Sequence, residues 1–228
     1  VHWRTGADWM FGHLLDGDLA SNHLSWQWVA GTGSNKAYLF NAGNVARHAP
    51  APWHSRGTAI DTSYEALEAL AASRRSLPAG RGMPTIDAPA LFSEPPRELG
   101  FSAPLAEAVI GRDVWLLHPW SLRPPPVDLP ASAVVIGLCL QQWHQPWPWT
   151  ATRWRFVAGA MATLTRERWH ADAAEVAAAL QQARSVQAWA DPHAGPLLHS
   201  LARCRPAPRL FRAVDRPCTS FSQWWTQV

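Results

Sequence analysis

The residues best equipped for chemistry in this chain stand close together: Asp16-Gly17-Asp18, then Asn22, then Trp26-Gln27-Trp28. Asp18, Asn22 and Trp26 are spaced four apart, and four residues turn an α-helix by about 400°, so on a helix they form one stripe. A carboxylate, an amide and an indole on one face could receive a heteroaromatic ligand that offers N–H and C=O groups at its edge and a flat surface beside them. Asp16 and Asp18 also precede the expected helix, where exposed backbone N–H groups and the helix dipole favour acids. Capping is therefore an equal reading for at least one of the two.

Three regions must position these residues. Residues 5–75 are rich in tryptophan at helical spacing, residues 76–110 hold six prolines with little periodicity, and residues 111–228 alternate short apolar runs with helical patterns. In the first region the spacing predicts a helix over Asp8 to Leu15, stopping at Asp16-Gly17-Asp18. A second should run from Leu19 to Ala30 with Gly31 at its end. Thr62-Ser63-Tyr64-Glu65 has the spacing of a capping box ahead of Leu67, Leu70 and Ala71. In the last region Asp113 to Leu117, Ala133 to Leu140 and Val186 to Trp189 read as strands. Helices are expected between Thr152 and Trp169, where Trp154, Val157, Met161 and Leu164 keep a 3.6 period, over Ala173 to Ala183, and near His193 to Arg203. Alternation of strand and helix argues for a parallel sheet with helices on its faces.

The segment around the stripe closely resembles the flavin-binding domain of DNA photolyases and cryptochromes. That family carries an acid-Gly-acid turn, small residues and an Asn, Trp-Gln-Trp, and Gly-Thr-Gly. Here these stand as Asp16-Gly17-Asp18, Leu19-Ala20-Ser21-Asn22, Trp26-Gln27-Trp28 and Gly31-Thr32-Gly33, approached by Trp3-Arg4-Thr5-Gly6. The resemblance implies a mixed fold: an α-helical fragment of the FAD-binding domain (1–75), a Pro-rich linker (76–110), and a parallel-sheet, Rossmann-like α/β domain similar to the family's antenna domain (111–228).

It also implies FAD as cofactor, with Asn22 beside the flavin ring near N5 and Asp16 and Asp18 holding the ring edge and the ribityl or adenine side. Trp26 and Trp3 correspond to the inner and middle members of an electron-hopping chain. Trp28 corresponds to the indole lining the cavity for a flipped pyrimidine dimer, with Gln27 beside it. The activity implied is deoxyribodipyrimidine photolyase, a carbon–carbon lyase that repairs ultraviolet-damaged DNA by light-driven electron transfer. The alternatives are a cryptochrome-like photoreceptor without repair and an inactive truncated fragment. The antenna-like domain raises the expectation of a second chromophore of unnamed identity. Typical members carry that domain first, whereas here it follows the flavin motif.

Composition narrows the remaining classes. The 228 residues include 15 Trp against two Tyr and seven Phe, and a net charge of +3 carried by 19 Arg and one Lys among 20 basic residues. With 47% hydrophobic and 16% charged residues, and no apolar run near the ~20 residues of a membrane span, a globular chain is expected, without disorder or a membrane partner. A start at Val1 with no signal-peptide pattern reads as the latter part of a longer cytoplasmic protein cut inside its flavin domain. Cys139, Cys204 and Cys218 form no C-x-x-C and are expected as free thiols. Gly31 to Lys36 fails as a phosphate loop, because Asn35 and Ala37 replace the Gly and Ser/Thr it needs. The histidines lack metal-ligand spacing, so no metal is expected. Arg47, Arg56, Arg74, Arg75 and Arg81 are compatible with a phosphate-tracking surface or a solvated basic face. The nine tryptophans Trp9, Trp53, Trp143, Trp147, Trp149, Trp154, Trp169, Trp224 and Trp225 are expected mainly in the core.

Overall fold

A computed structural model describes residues 3–32, 38–73 and 90–228. Gly33 and the loop to Ala37, Arg74, Arg75, Arg81 and the linker residues up to 89 lie outside the described residues. The chain divides into two compact units. One comprises Val1–Ser93 with Trp147–Phe156, the other Glu94–Pro146 with Val157–Val228.

The first unit is built from α1 (Trp3–His13), α2 (Leu19–Val29), α3 (Ala42–His48) and α4 (Tyr64–Ala72), with a short antiparallel pair of β1 (Leu91–Phe92) and β4 (Trp149–Thr150). Helix α1 begins five residues before the expected Asp8, because Ala7 and Phe11 form a buried i, i+4 row that continues back to Trp3. Helix α2 ends as its sequence predicts. Gly31 takes φ +70°, its N–H donates to the Trp28 carbonyl, and the Thr32 N–H donates to that of Gln27, which is a Schellman closure. Gly31→Ala should destabilise the unit by about 1 kcal/mol, since a Cβ is strained in that region; urea unfolding at unchanged slope checks it. Helix α4 is capped by Ser63, whose hydroxyl accepts from the Ala66 N–H, one residue later than the expected Thr62 cap. Backbone hydrogen bonding, and then the Ser63 side chain, lower the pKa of the Glu65 carboxyl from its ordinary value.

The second unit is a five-stranded parallel sheet of order β5-β3-β2-β6-β7. Its strands are β2 (Asp113–Leu117), β3 (Val134–Leu140), β5 (Glu167–Ala171), β6 (Ser185–Trp189) and β7 (Arg203–Arg205). The chain winds from β2 outward through β3 to β5, then crosses to β6 and β7 on the other side, so the strand order reverses between β2 and β6. Helices α5 (Gln141–His144), α6 (Ala151–Ala162), α7 (Ala173–Leu180) and α8 (Gly195–Leu201) fall between strands, and α9 (Phe221–Trp225) closes the chain. The first six residues of α6 belong to the first unit and the remainder to the second.

Strands β2 and β3 are continuous apolar runs because a parallel sheet is covered on both faces. Val114, Leu116, Ile136, Leu138 and Leu140 are buried in one cluster with Trp169, Val176, Ala188 and Leu198. Two strands fall where the sequence spacing predicts helix. Helix α6 stops at Ala162, and Thr165 Oγ1 donates to the Val135 carbonyl at 2.5 Å, turning the chain into β5 alongside β3. Trp169 therefore buries its ring from a strand, although it lies on the continued helical spacing of Trp154 and Met161. Likewise Arg203 begins β7 instead of ending a helix. Helix α7 has a full capping box between Asp172 and Glu175.

Candidate functional site

Helices α1 and α2 pack against each other within the first unit. The turn between them ends at Asp18, which caps α2 by accepting from the Ser21 N–H at 2.6 Å. Asn22, one turn on, is buried, and its Nδ2 donates to the Ala7 carbonyl of α1 at 2.8 Å. A carbonyl can only accept, so this bond fixes the amide orientation and leaves Oδ1, an acceptor, without a partner among the described residues. Trp26, a further turn on, lies against Gly6. A Cβ built there would sit 2.5 Å from the indole Cη2, so only glycine admits the ring.

Asn22 and Trp26 thus meet α1 through one face of α2, while Asp18 holds that helix's first turn. Asp16 is exposed in the α1–α2 turn. Gln27 is half-buried, and its carbonyl closes the end of α2. Trp28 is exposed, 6.3 Å from the Tyr38 ring.

Trp3 meets His23 edge-on at 6.2 Å between ring centres. His23 reaches the Asp8 carboxylate through Nε2 at 2.7 Å and the Leu19 carbonyl through Nδ1 at 2.9 Å. Arg4 approaches the other Asp8 carboxylate oxygen at 3.6 Å. The His23 ring also meets Trp147 at 5.5 Å, and Trp147 meets Phe11 at 5.7 Å. A run of rings therefore extends from Trp3 through His23 to Trp147 and Phe11. Sequence spacing could not reveal it, because Trp147 is far along the chain.

The buried cation of this unit, Arg153, had read as part of the later α/β region. Instead its guanidinium donates to the Phe11 carbonyl and, at 3.1 Å, to that of Gly17. It is also sandwiched at 4.6 Å over the Phe11 ring and 4.2 Å over the Trp149 ring. Phe11 lies in the last turn of α1, where carbonyls have no helical partner and a positive charge is favoured. Burial lowers the pKa of the guanidinium to about 10, opposed by Asp16. It stays charged at neutral pH.

Residues 1–70 match the family model described as FAD binding domain of DNA photolyase. The chain begins with a photolyase-like flavin-domain segment. A deoxyribodipyrimidine photo-lyase of Streptomyces griseus is 57% identical over 35 residues, 15% of this chain and 8% of the relative. That of Escherichia coli K12 is 43% identical over 44 residues, 19% and 9% respectively. A cryptochrome DASH of Gloeobacter violaceus is 41% identical over 49 residues, 22% and 10%. The matched stretch thus spans about a tenth of the length of these curated relatives. No solved structure matches the chain.

In the photolyase-like segment the Trp28 indole is exposed, whereas that of Trp26 is packed on Gly6. Among the described residues no group of three His, Cys, Asp or Glu could hold a metal ion, and no helix is long and apolar enough to cross a membrane. Cys139 is buried, which raises its thiol pKa, and Cys204 and Cys218 are half-buried; none forms a disulfide.

Proposed function

We propose that this chain is part of an FAD-dependent, blue-light-driven DNA repair protein of the deoxyribodipyrimidine photolyase type, acting on a pyrimidine dimer in ultraviolet-damaged DNA. The observation that carries the reading is the Asp16 to Trp28 motif, in fixed register inside the matched residues, with α2 presenting Asn22 and Trp26 on one face. FAD, when bound, supplies light absorption and the electron.

The chain's own residues have distinct tasks. Asn22, its amide held by the bond to Ala7, would offer its Oδ1 to an N–H of the flavin ring edge, an interaction that would favour the reduced cofactor. Asp16 and Asp18 hold polar groups of the cofactor while Asp18 keeps α2 wound. Trp26, clamped on Gly6, and Trp3 are oxidisable indoles that relay an electron toward the cofactor. Trp28, with Gln27 beside it, stacks on a base taken out of the duplex, a step that costs least for a lesion already poorly stacked. The remaining assignments belong to the same reading: residues 1–75 as flavin-domain part, 76–110 as linker, and 111–228 as an antenna-like domain in a cytoplasmic protein. A second chromophore would sit at the carboxyl ends of β2 and β6, where the strand order reverses and α/β sheets bind ligands.

Illumination of the protein with FAD and a dimer-bearing oligonucleotide tests the repair reading, with restored bases as the expected product. Trp26→Phe should slow photoreduction of bound flavin while leaving flavin binding intact, read by loss of flavin absorbance under light; an unchanged rate removes the relay role. The similarity to a cryptochrome DASH favours one second reading, a flavin photoreceptor in which the same residues support light-driven reduction without repair.

A further inference from the structure

The chain from β7 onward has a composition of its own. Between Arg203 and Val228 it carries Arg203, Arg205, Arg209, Arg212 and Arg216 against one acid, Asp215, and four aromatic residues, Phe211, Phe221, Trp224 and Trp225. Arg205 is paired with Asp128 at 2.9 Å. Among the described residues Arg209, Arg212 and Arg216 form no ion pair, nor does Arg123, which lies far earlier in the same unit. Arg123, Arg209 and Arg212 line one cavity of about 780 Å³ together with Phe211 and Trp224, and no carboxylate lines it.

The aromatic residues cluster instead of entering the core. Phe221 stacks on Trp225 at 5.7 Å and 23°, Phe211 meets Trp224 and Trp225 edge-on at 5.9 and 5.5 Å, and Trp224 lies 6.1 Å from Trp225. Their outer faces remain open, with Phe221 71% and Trp225 52% exposed. Two arginines hold the arrangement without losing their charge to an acid. Arg212 Nε donates to the Gln227 carbonyl at 2.8 Å and Arg216 Nε to the Gln227 side-chain oxygen at 2.6 Å. Arg212 and Arg216 are thus tied to Gln227, just past the helix that carries Phe221, Trp224 and Trp225.

We infer that this surface binds single-stranded nucleic acid, its arginines on the phosphates and Phe221 and Trp225 stacked on bases. Uncompensated guanidinium groups select a polyanion, and planar guanidinium favours phosphate in a forked geometry. Exposed rings beside that charge select a polyanion that also offers flat faces, which a strand of unpaired bases does at every residue. An acidic peptide supplies the charge without the faces. The inference stands apart from the photolyase reading, since it uses no residue of the matched segment and needs neither light nor lesion.

The test is fluorescence anisotropy of a labelled, undamaged oligothymidylate with the full chain, in the dark and without FAD. Binding is expected to weaken with salt, with a log–log slope near −0.7 for each phosphate held. The double substitution Phe221→Ala and Trp225→Ala should lower affinity at least ~5-fold without changing that slope. Arg209→Gln with Arg212→Gln should flatten the slope by about 1.4, two phosphates' worth. Wild-type affinity and slope in both double variants, each verified as folded by circular dichroism, would overturn the inference. So would displacement of the oligonucleotide by polyglutamate or by anionic phospholipid vesicles as effectively as by unlabelled oligothymidylate.

Discussion

Arg153→Ala should destabilise the first unit by about 3–5 kcal/mol, from two buried acceptors that lose their donor and a gap left between two rings. Arg153 is 2% exposed and joins α6 to groups more than a hundred residues earlier, the end of α1 and the α1–α2 turn. Truncation leaves the Phe11 and Gly17 carbonyls facing the space the guanidinium filled, each a buried acceptor without a donor. It also takes away the layer between the Phe11 and Trp149 rings, and neighbouring side chains relax only partly into such a gap. Arg153→Met separates these effects. Methionine refills much of the stacked volume but cannot donate, so its loss should be smaller than that of alanine and should report the two carbonyls. Urea unfolding followed by tryptophan fluorescence reads both variants, and a midpoint unchanged in Arg153→Ala would refute the account.

The same residue shows where sequence reading stops. The helices α1, α2 and α4 follow from periodicity and end signals a few residues long, and Gly31 and Asp18 act where local rules put them. The parallel sheet was legible for a related reason: β2 and β3 are doubly buried, so their sequences are unbroken apolar runs. Strand β5 was not. Glu-Arg-Trp-His-Ala alternates polar and apolar residues, and Trp169 falls in step with the preceding helix, so only pairing with β3 decides its conformation. Strand β7 has three residues and no local signature at all.

At the candidate site the motif named α2 and its stripe, but not what the stripe meets. The need for glycine at position 6 is invisible until Trp26 is laid across α1. Trp147 and Arg153 reach α1 from more than a hundred residues away, and no spacing rule connects them. The tryptophans divide for similar reasons. Trp143, Trp149, Trp154 and Trp169 are buried as expected, whereas Trp9, Trp53 and Trp225 are exposed. Core packing therefore accounts for part of the excess.

The second unit should lose stability as pH falls below about 6.5, the ordinary histidine value, at up to about 2.7 kcal/mol per pH unit when two groups titrate. His118, at the carboxyl end of β2, is fully buried, and its Nε2 donates to the Trp189 carbonyl at 2.9 Å. Burial lowers its pKa; the Trp189 hydrogen bond and Asp191 oppose the shift, and Arg123 reinforces it. His170 in β5 is shifted the same way by burial, against the charge of Glu94. The sign follows from proton counting. Below pH 6.5 the unfolded chain takes up a proton at each histidine while the folded chain still excludes it, so protonation draws the equilibrium toward unfolding. The loss ends where the folded histidines themselves begin to titrate, and above about pH 7.5 these groups contribute no pH dependence. His118→Gln retains a donor for the Trp189 carbonyl but cannot titrate, so about half of the slope should disappear, and the rest should go with His170→Gln. Urea unfolding at half-unit pH steps reads the slopes. A wild-type profile flat from pH 6.5 to 5, or one unaltered in both variants, would show that neither histidine is held neutral by burial.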